Sequence, residues 1–228
     1  MLGKLQWLAL EVKYLDRVQA FYEAFLDLEV RHETDREVAL AAGDTALVLR
    51  APGDPPRGGL HTHYAASIPA SEYDTWHDRL DGQFDLVEQS FGDARSLYFY
   101  DPEGNCVELG EREVAGPGVD GLFEVVLEVA DIDAAVAFYE ALGFEVVDRG
   151  DERKRVRTTT GPLDLELWEP HLGLADARGG VHVDIAVTAE DPAAAVDPVR
   201  GDAVAVESVD AGLRVRDPDG HYLTLVDE

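Results

Sequence analysis

Cysteine is nearly absent from this chain, and long apolar runs are absent altogether. Cys106 is the one cysteine among 228 residues, which excludes an intrachain disulfide framework. No apolar run reaches the length of about eighteen residues that a membrane-spanning helix needs, so none is predicted. The first residues, Met1 to Val12, lack the basic, apolar and small-residue regions of a leader peptide and have the pattern of a strand. We therefore expect a cytoplasmic protein.

Basic residues are also scarce, and acidic residues are spread along the whole chain. The sequence has 19 lysines and arginines against 47 aspartates and glutamates, which gives a formal net charge of −28. Nucleic-acid binding is disfavoured, because it depends on clustered Lys and Arg. The composition favours adaptation to the salt-rich cytoplasm of a halophilic organism, where screening weakens self-repulsion. An acidic face for a basic partner is the alternative.

The sequence contains an internal duplication. Leu10–Val12 returns as Leu127–Val129, 117 positions later. Near the end of each copy, Asp101–Leu109 returns as Asp217–Leu225, 116 positions later. A long self-similarity of this kind fixes the architecture before any single residue is interpreted.

Each copy divides again, so the chain has four units. Each unit has the pattern of a strand, a helix and three further strands, with alternating apolar residues first and apolar residues at helical spacing next. The predicted fold class is α+β, with two domains in each of which two neighbouring units pair into a curved sheet around a cavity. The predicted domains are 1–113, with units 1–55 and 56–113, and 119–228, with units 119–172 and 173–228.

Two short motifs recur in the copies and carry a resemblance to a known family. The dipeptide Phe-Tyr lies on the first helix of each copy and ends at Tyr22 and at Tyr139. The turn Asp-Pro-x-Gly precedes the last strand of each copy and starts at Asp101 and at Asp217. Together with four βαβββ units, these motifs resemble the vicinal oxygen chelate superfamily, which includes glyoxalase I, extradiol ring-cleavage dioxygenases, and bleomycin and fosfomycin resistance proteins. The resemblance implies a divalent metal, held by the first strands and by a Glu on a last strand.

The resemblance assigns metal ligands to the first copy. In the family the first-strand ligand is usually a His, and the four units hold in its place Trp7, His63, Glu124 and His182. Glu108 matches the metal-binding Glu of the last strand. His63 and Glu108 are therefore the favoured ligands, and Fe(II) or Mn(II) is the expected ion.

Trp7 leaves the first copy one ligand short, because an indole does not bind metal. Either another side chain completes the site or the first copy has lost its metal. The candidates considered for completing it are Gln6, Glu11 and His61.

Tyr98 is the predicted catalytic residue. The segment from Tyr98 to Glu108 matches the Tyr-x-x-Asp-Pro-x-Gly-x-x-x-Glu core of the extradiol dioxygenase signature. By that resemblance Tyr98 would hydrogen-bond the substrate or assist proton transfer.

The second copy keeps a different subset of ligands and is the weaker candidate. The resemblance to glyoxalase I assigns Glu124, Glu166 and His182 as its metal ligands, while Thr224 stands where the last-strand Glu belongs. This second site would require the activity to reside in the second domain.

The leading functional expectation is a metal-dependent enzyme similar to extradiol ring-cleavage dioxygenases, acting on a small vicinal-oxygen substrate. Two alternatives stay open: a non-enzymatic protein that binds or sequesters a small molecule, and a glyoxalase-like lyase or isomerase that uses the second domain. The expected partner is a small molecule rather than nucleic acid or a membrane, and the sequence is compatible with a homo-oligomer.

Overall fold

The computed structural model describes residues 1–53, 59–150, 154–170 and 183–227. Within them, each unit has one strand, a helix and three more strands. Unit one contains β1 (Leu2–Glu11), α1 (Leu15–Leu26), β2 (Glu29–Glu33), β3 (Glu37–Ala42) and β4 (Thr45–Arg50). Unit two contains β5 (His61–Pro69), α2 (Tyr73–Leu80), β6 (Val87–Phe91), β7 (Ala94–Tyr100) and β8 (Cys106–Arg112).

The second copy repeats this order. Unit three contains β9 (Gly121–Glu128), α3 (Ile132–Leu142), β10 (Glu145–Arg149), β11 (Arg155–Thr159) and β12 (Asp164–Trp168). Unit four contains β13 (Val183–Ala189), α4 (Pro192–Val196), β14 (Ala205–Val209), β15 (Gly212–Arg216) and β16 (Tyr222–Asp227). No helix in the described part of the chain is long and apolar enough to cross a membrane.

The strands form two sheets of eight. The outer-unit sheet joins units one and four in the order β14-β15-β16-β13-β1-β4-β3-β2, and the inner-unit sheet joins units two and three in the order β10-β11-β12-β9-β5-β8-β7-β6. Each sheet is centred on two antiparallel first strands, β1 with β13 and β5 with β9. The predicted α+β class, with paired units forming curved sheets, is confirmed.

The pairing of the units differs from the sequence expectation, in which 1–113 and 119–228 would each pair their own two units. The structure pairs the second unit with the third and the first with the fourth. The duplication cannot distinguish the two arrangements, because either one puts one odd and one even unit in each sheet. The short connection from Arg112 to Gly121 brings β9 directly beside β5.

The recurring motifs tie the two sheets together. Tyr22 on α1 donates a 2.9 Å hydrogen bond to Asp101 in the turn before β8, and Tyr139 on α3 donates a 2.8 Å bond to Asp217 before β16. Each bond is buried and links a helix packed on one sheet to a turn of the other. The motifs therefore hold the two units of each copy in contact although those units do not share a sheet.

Candidate metal centre

Three strands of the inner-unit sheet each direct one metal-binding side chain to the same face. His63 lies on β5, Glu108 on β8 and Glu124 on β9. Ala65 lies opposite both Glu108 and Glu124 in the sheet register, and His63 is two residues before Ala65. Residues two apart on a strand share a face, as do directly paired residues on neighbouring strands. The register alone therefore brings the three side chains into one cavity.

These three side chains form a tight, buried cluster. His63 Nε2 lies 3.4 Å from Glu108 Oε2 and 3.7 Å from Glu124 Oε1. The three ligand atoms all lie within 4.8 Å of one another, and each residue is 3–4% exposed. Within the described ranges, no other group of three His, Cys, Asp or Glu residues is close enough to hold a metal ion.

The cluster shifts the pKa values of its members. Burial alone would lower the pKa of His63, but hydrogen bonding and charge from Glu108 and Glu124 outweigh it and raise the pKa to about 9. Burial would raise the pKa of Glu108, yet the contact with His63 leaves it lowered. Burial and the charges of Glu166 and Glu108 raise the pKa of Glu124 in spite of His63. Without metal, a protonated imidazole therefore compensates two buried acids.

Two residues of β7 support Glu108 from the neighbouring strand. Ser96 Oγ donates a 2.7 Å hydrogen bond to Glu108 Oε1, and Tyr98 lies directly opposite Glu108 in the β7–β8 register. The Tyr98 ring meets His63 edge to face, with centroids 5.6 Å apart. Burial and the charge of Glu108 raise the pKa of the Tyr98 phenol, which therefore stays protonated at neutral pH and can donate a hydrogen bond.

Glu166 lies in the same cavity, but protein donors occupy both of its oxygens. Oε1 accepts hydrogen bonds from Arg155 at 3.0 Å and from Arg157 at 2.8 Å. Oε2 accepts a 2.7 Å bond from the indole of Trp168. Arg157 also contacts Glu124 Oε2 at 2.8 Å. Glu166 is thus placed beside the cluster and steadies the arginine that binds Glu124.

The cluster fits a divalent cation. No well-aligned hydrogen bond reaches the buried Glu108 Oε2, although His63 Nε2 lies 3.4 Å away, and a cation would satisfy this oxygen. Two ligand atoms at about 2.1 Å from one ion are about 3 to 3.5 Å apart, close to the distances of His63 Nε2 from the two carboxylates. One imidazole nitrogen and two carboxylate oxygens form a donor set suited to Mn(II) or Fe(II).

A cavity of about 380 Å³ opens beside the three side chains. This volume accommodates a small organic molecule. Arg112, Arg155 and Arg157 line it, together with the aromatic rings of Phe91 and Trp168. Three of the few basic residues of the chain therefore face one cavity.

The outer-unit sheet holds the remaining predicted positions. Trp7 and Thr224 line a separate cavity there, and His182 lies outside the described residues. Thr224 is the counterpart of Glu108, as the duplication predicts.

The strand register shows which residue of unit four corresponds to His63. Ala186 lies opposite Thr224 just as Ala65 lies opposite Glu108. The residue two positions before Ala186 is Asp184, so Asp184 lies in the register position that corresponds to His63.

The three residues considered as additional ligands of the first copy do not join the cluster. Gln6 and Glu11 belong to the outer-unit sheet, and the candidate metal cluster does not include His61. The third member is Glu124, which the sequence assigned to a separate site in the second copy. A prediction of which first strands pair would have found it, and the duplication does not contain that information.

Comparisons with known proteins agree with this architecture. The family model described as "Glyoxalase/Bleomycin resistance protein/Dioxygenase superfamily" matches residues 4–109 and again residues 121–225. Among solved structures, glyoxalase I from Zea mays has a TM-score of 0.71 at 18% identity, over 98% of this chain and 92% of that one. A Bacillus subtilis protein provisionally assigned as a dioxygenase has a TM-score of 0.74 at 17% identity, over 99% and 85%. At these identities the likeness concerns the fold.

Two curated relatives are similar to one part of the chain. The metallothiol transferase FosB of Staphylococcus saprophyticus is 31% identical over 96 residues, which cover 39% of this chain and 64% of that enzyme, less than two thirds of its length. The glutathione transferase FosA of Serratia marcescens is 27% identical over 114 residues, covering 48% of this chain and 81% of that enzyme. With the family model matched twice across nearly the whole sequence, the chain belongs to the glyoxalase/bleomycin resistance protein/dioxygenase superfamily.

Proposed function

We propose that this protein is a metal-dependent enzyme with its active site in the inner-unit cavity. The observation that carries the proposal is the buried cluster of His63, Glu108 and Glu124, whose ligand atoms all lie within 4.8 Å of one another. The three residues come from both copies of the duplication, so neither copy alone would be active. A divalent ion bound by them would act as a Lewis acid that polarises substrate oxygens.

The substrate class follows from the walls of the cavity. Arg155 and Arg157 bind Glu166, while Arg112 stacks on Phe123 with its guanidinium carbon 4.1 Å from the ring centroid. Arg155 and Arg157 are compensated by this and other acids, so Arg112 is the residue that would attract an anionic molecule, which the net charge of −28 would otherwise repel. We propose a small anion with two adjacent oxygens as substrate.

Ring-cleaving dioxygenation is the first candidate reaction, and Tyr98 supports it. Its phenol is protonated at neutral pH, adjoins the ligand Glu108 and contacts the ring of His63. Tyr98 would donate a hydrogen bond to a substrate oxygen and orient the ring, which Trp168 and Phe91 of the cavity wall would flank.

Thiol transfer is the second candidate, and the two curated relatives favour it. Both are named as thiol or glutathione transferases. In this reaction the arginines would hold an anionic electrophile, and Tyr98 would donate a proton to the oxygen that leaves carbon.

Metal analysis of protein purified without added metal tests the proposal. We expect about one equivalent of Mn or Fe, lost in His63→Ala and in Glu124→Gln and retained in the control His32→Ala, whose histidine is exposed on β2. Oxygen uptake with catechols would identify the dioxygenase, and consumption of a small thiol with an anionic epoxide would identify the transferase. Metal-free protein that gains no metal on addition of Mn(II), and still binds an organic ligand tightly, would identify a sequestering protein and contradict the proposal.

A further inference from the structure

The outer-unit sheet encloses a second cavity, of about 660 Å³, built on the same strand register as the first. The three ligand positions have changed there. Trp7 replaces Glu124, Asp184 replaces His63 and Thr224 replaces Glu108. The scaffold of a binding cavity is therefore retained without the donor set of a metal site.

Protein donors already occupy the acids of this second cavity. Arg50 binds Asp184 Oδ2 at 2.6 Å and Glu37 Oε2 at 2.6 Å. Thr224 Oγ1 donates a 3.0 Å hydrogen bond to the other oxygen of Asp184. Arg50 lies at the position that Trp168 occupies in the inner-unit sheet. Arg50 is paired with Glu11 and Trp168 with Glu128, and the duplication makes Glu11 and Glu128 counterparts. A cation has no open acidic partner among these residues.

Among the buried polar side-chain atoms of the described cavity wall, those without a hydrogen-bond partner are donors. Trp7 Nε1 and Arg214 Nε are both buried and have no acceptor. Arg214 lies directly opposite Thr224, in the place of Tyr98, and its terminal nitrogen binds Glu207 at 2.9 Å. A buried N–H without an acceptor costs free energy, and a ligand that supplies acceptors recovers it.

We infer that the outer-unit cavity is a binding site for a small organic anion, specifically an aromatic carboxylate. The carboxylate would accept hydrogen bonds from Trp7 Nε1 and Arg214, and the ring would lie against the apolar wall of Ala39, Ala46 and Val48. This site is separate from the proposed active site and needs no metal. The two cavities of one chain then bind different ligands.

The three tryptophans allow a test by nuclear magnetic resonance with benzoate as the probe. Each indole N–H gives one ¹H–¹⁵N signal, and Trp7→Phe identifies that of Trp7. Benzoate should move the Trp7 signal downfield with saturation and leave that of Trp168, which is bonded to Glu166, unchanged. No shift of Trp7 up to about 10 mM benzoate, or a shift of Trp168 alone, would overturn the inference.

A variant that removes one positive charge distinguishes specific recognition of benzoate from a general effect of the protein's charge. Arg214→Gln should weaken benzoate binding about tenfold, since it removes a hydrogen bond to a charged group. Arg200→Gln, which breaks an exposed ion pair with Asp197, should leave binding unchanged. Equal weakening of benzoate binding in both variants would contradict a specific binding site. If Arg214→Gln does not fold, Trp7→Phe should still weaken benzoate binding measured by calorimetry, and unchanged affinity there would contradict it as well.

Discussion

The two sheets contain the same fold with opposite electrostatic arrangements. In the inner-unit cavity, arginines bind Glu166 and one oxygen of Glu124, while His63 Nε2 and Glu108 Oε2 lie 3.4 Å apart at the centre. In the outer-unit cavity, Arg50 crosses to Asp184 and neutralises it. Under the proposed function, the difference teaches that a metal site needs acids with an oxygen that no arginine holds. A metal-binding residue type at the equivalent position of the other sheet is not sufficient to make a metal site.

Replacing an inner ligand by its outer counterpart should have the largest effect. Glu108→Thr should weaken metal binding a thousandfold or more, about 4 kcal/mol, because a total binding free energy of about 10–16 kcal/mol is shared among few ligands. Metal content after dialysis measures this. The reverse change, Thr224→Glu, should create no site while Arg50 binds Asp184. Stoichiometric metal in the outer-unit sheet of that variant would contradict the comparison.

Removing Arg50 from the outer-unit cavity should cost stability. Arg50→Gln leaves Asp184, which is 2% exposed, without its cation. We expect a loss of about 3 kcal/mol in the free energy of unfolding, as for a broken buried ion pair. Urea unfolding gives the value. The control Arg79→Gln, whose partner Asp27 is largely exposed, should cost below about 1 kcal/mol; similar losses in both would refute the distinction.

The pH dependence of metal binding should report His63. Its pKa is raised to about 9 in the metal-free protein, and metal requires the neutral imidazole. Affinity should therefore fall about tenfold per pH unit below 9, about 1.4 kcal/mol per unit. The same raised pKa stabilises the metal-free fold below the usual value of 6.5, and this stabilisation is lost as the pH rises through 9. Mn(II) titration from pH 7 to 9 measures the slope, and a constant affinity would contradict it.

The hydrogen bonds between the sheets should differ in strength between the two copies. Tyr139→Phe should cost about 1 to 2 kcal/mol of unfolding free energy, since it leaves the buried Asp217 with one bond fewer. Tyr22→Phe should cost more, because it takes one bond from Asp101 and also removes the acceptor of the buried Tyr64 hydroxyl. Thermal unfolding compares them. Tyr14→Phe, at an exposed tyrosine, should change stability by below about 0.5 kcal/mol. An equal loss in both variants would contradict this difference between the copies.

The sequence predicted the units and the family but not the pairing. Hydrophobic periodicity and the Asp-Pro-x-Gly turns are local features, so the strands and helices followed from them. Which first strands lie side by side depends on long-range contacts, and the duplication is satisfied by either pairing. Residue types and motif positions identify His63, Glu108 and Glu124 as candidate ligands. Without the strand pairing, however, the sequence assigns Glu124 to a separate site in the second copy.

The sequence also does not predict which donors bind the buried acids. Glu166 and Glu124 are both buried acids on neighbouring strands, yet Arg155, Arg157 and Trp168 engage both oxygens of Glu166. That Asp184 lies in the register position of His63 is also not visible in the sequence, because a shift in strand register has no signature in an acidic chain. Only three-dimensional contacts separate an available ligand from a neutralised one.

Anomalous scattering at the manganese edge, from crystals grown with Mn(II), tests the central claim most directly. The account predicts one peak per chain, in the inner-unit cavity, bound by His63, Glu108 and Glu124. A peak beside Asp184 and Thr224 in the outer-unit cavity, or no peak in either, would contradict it.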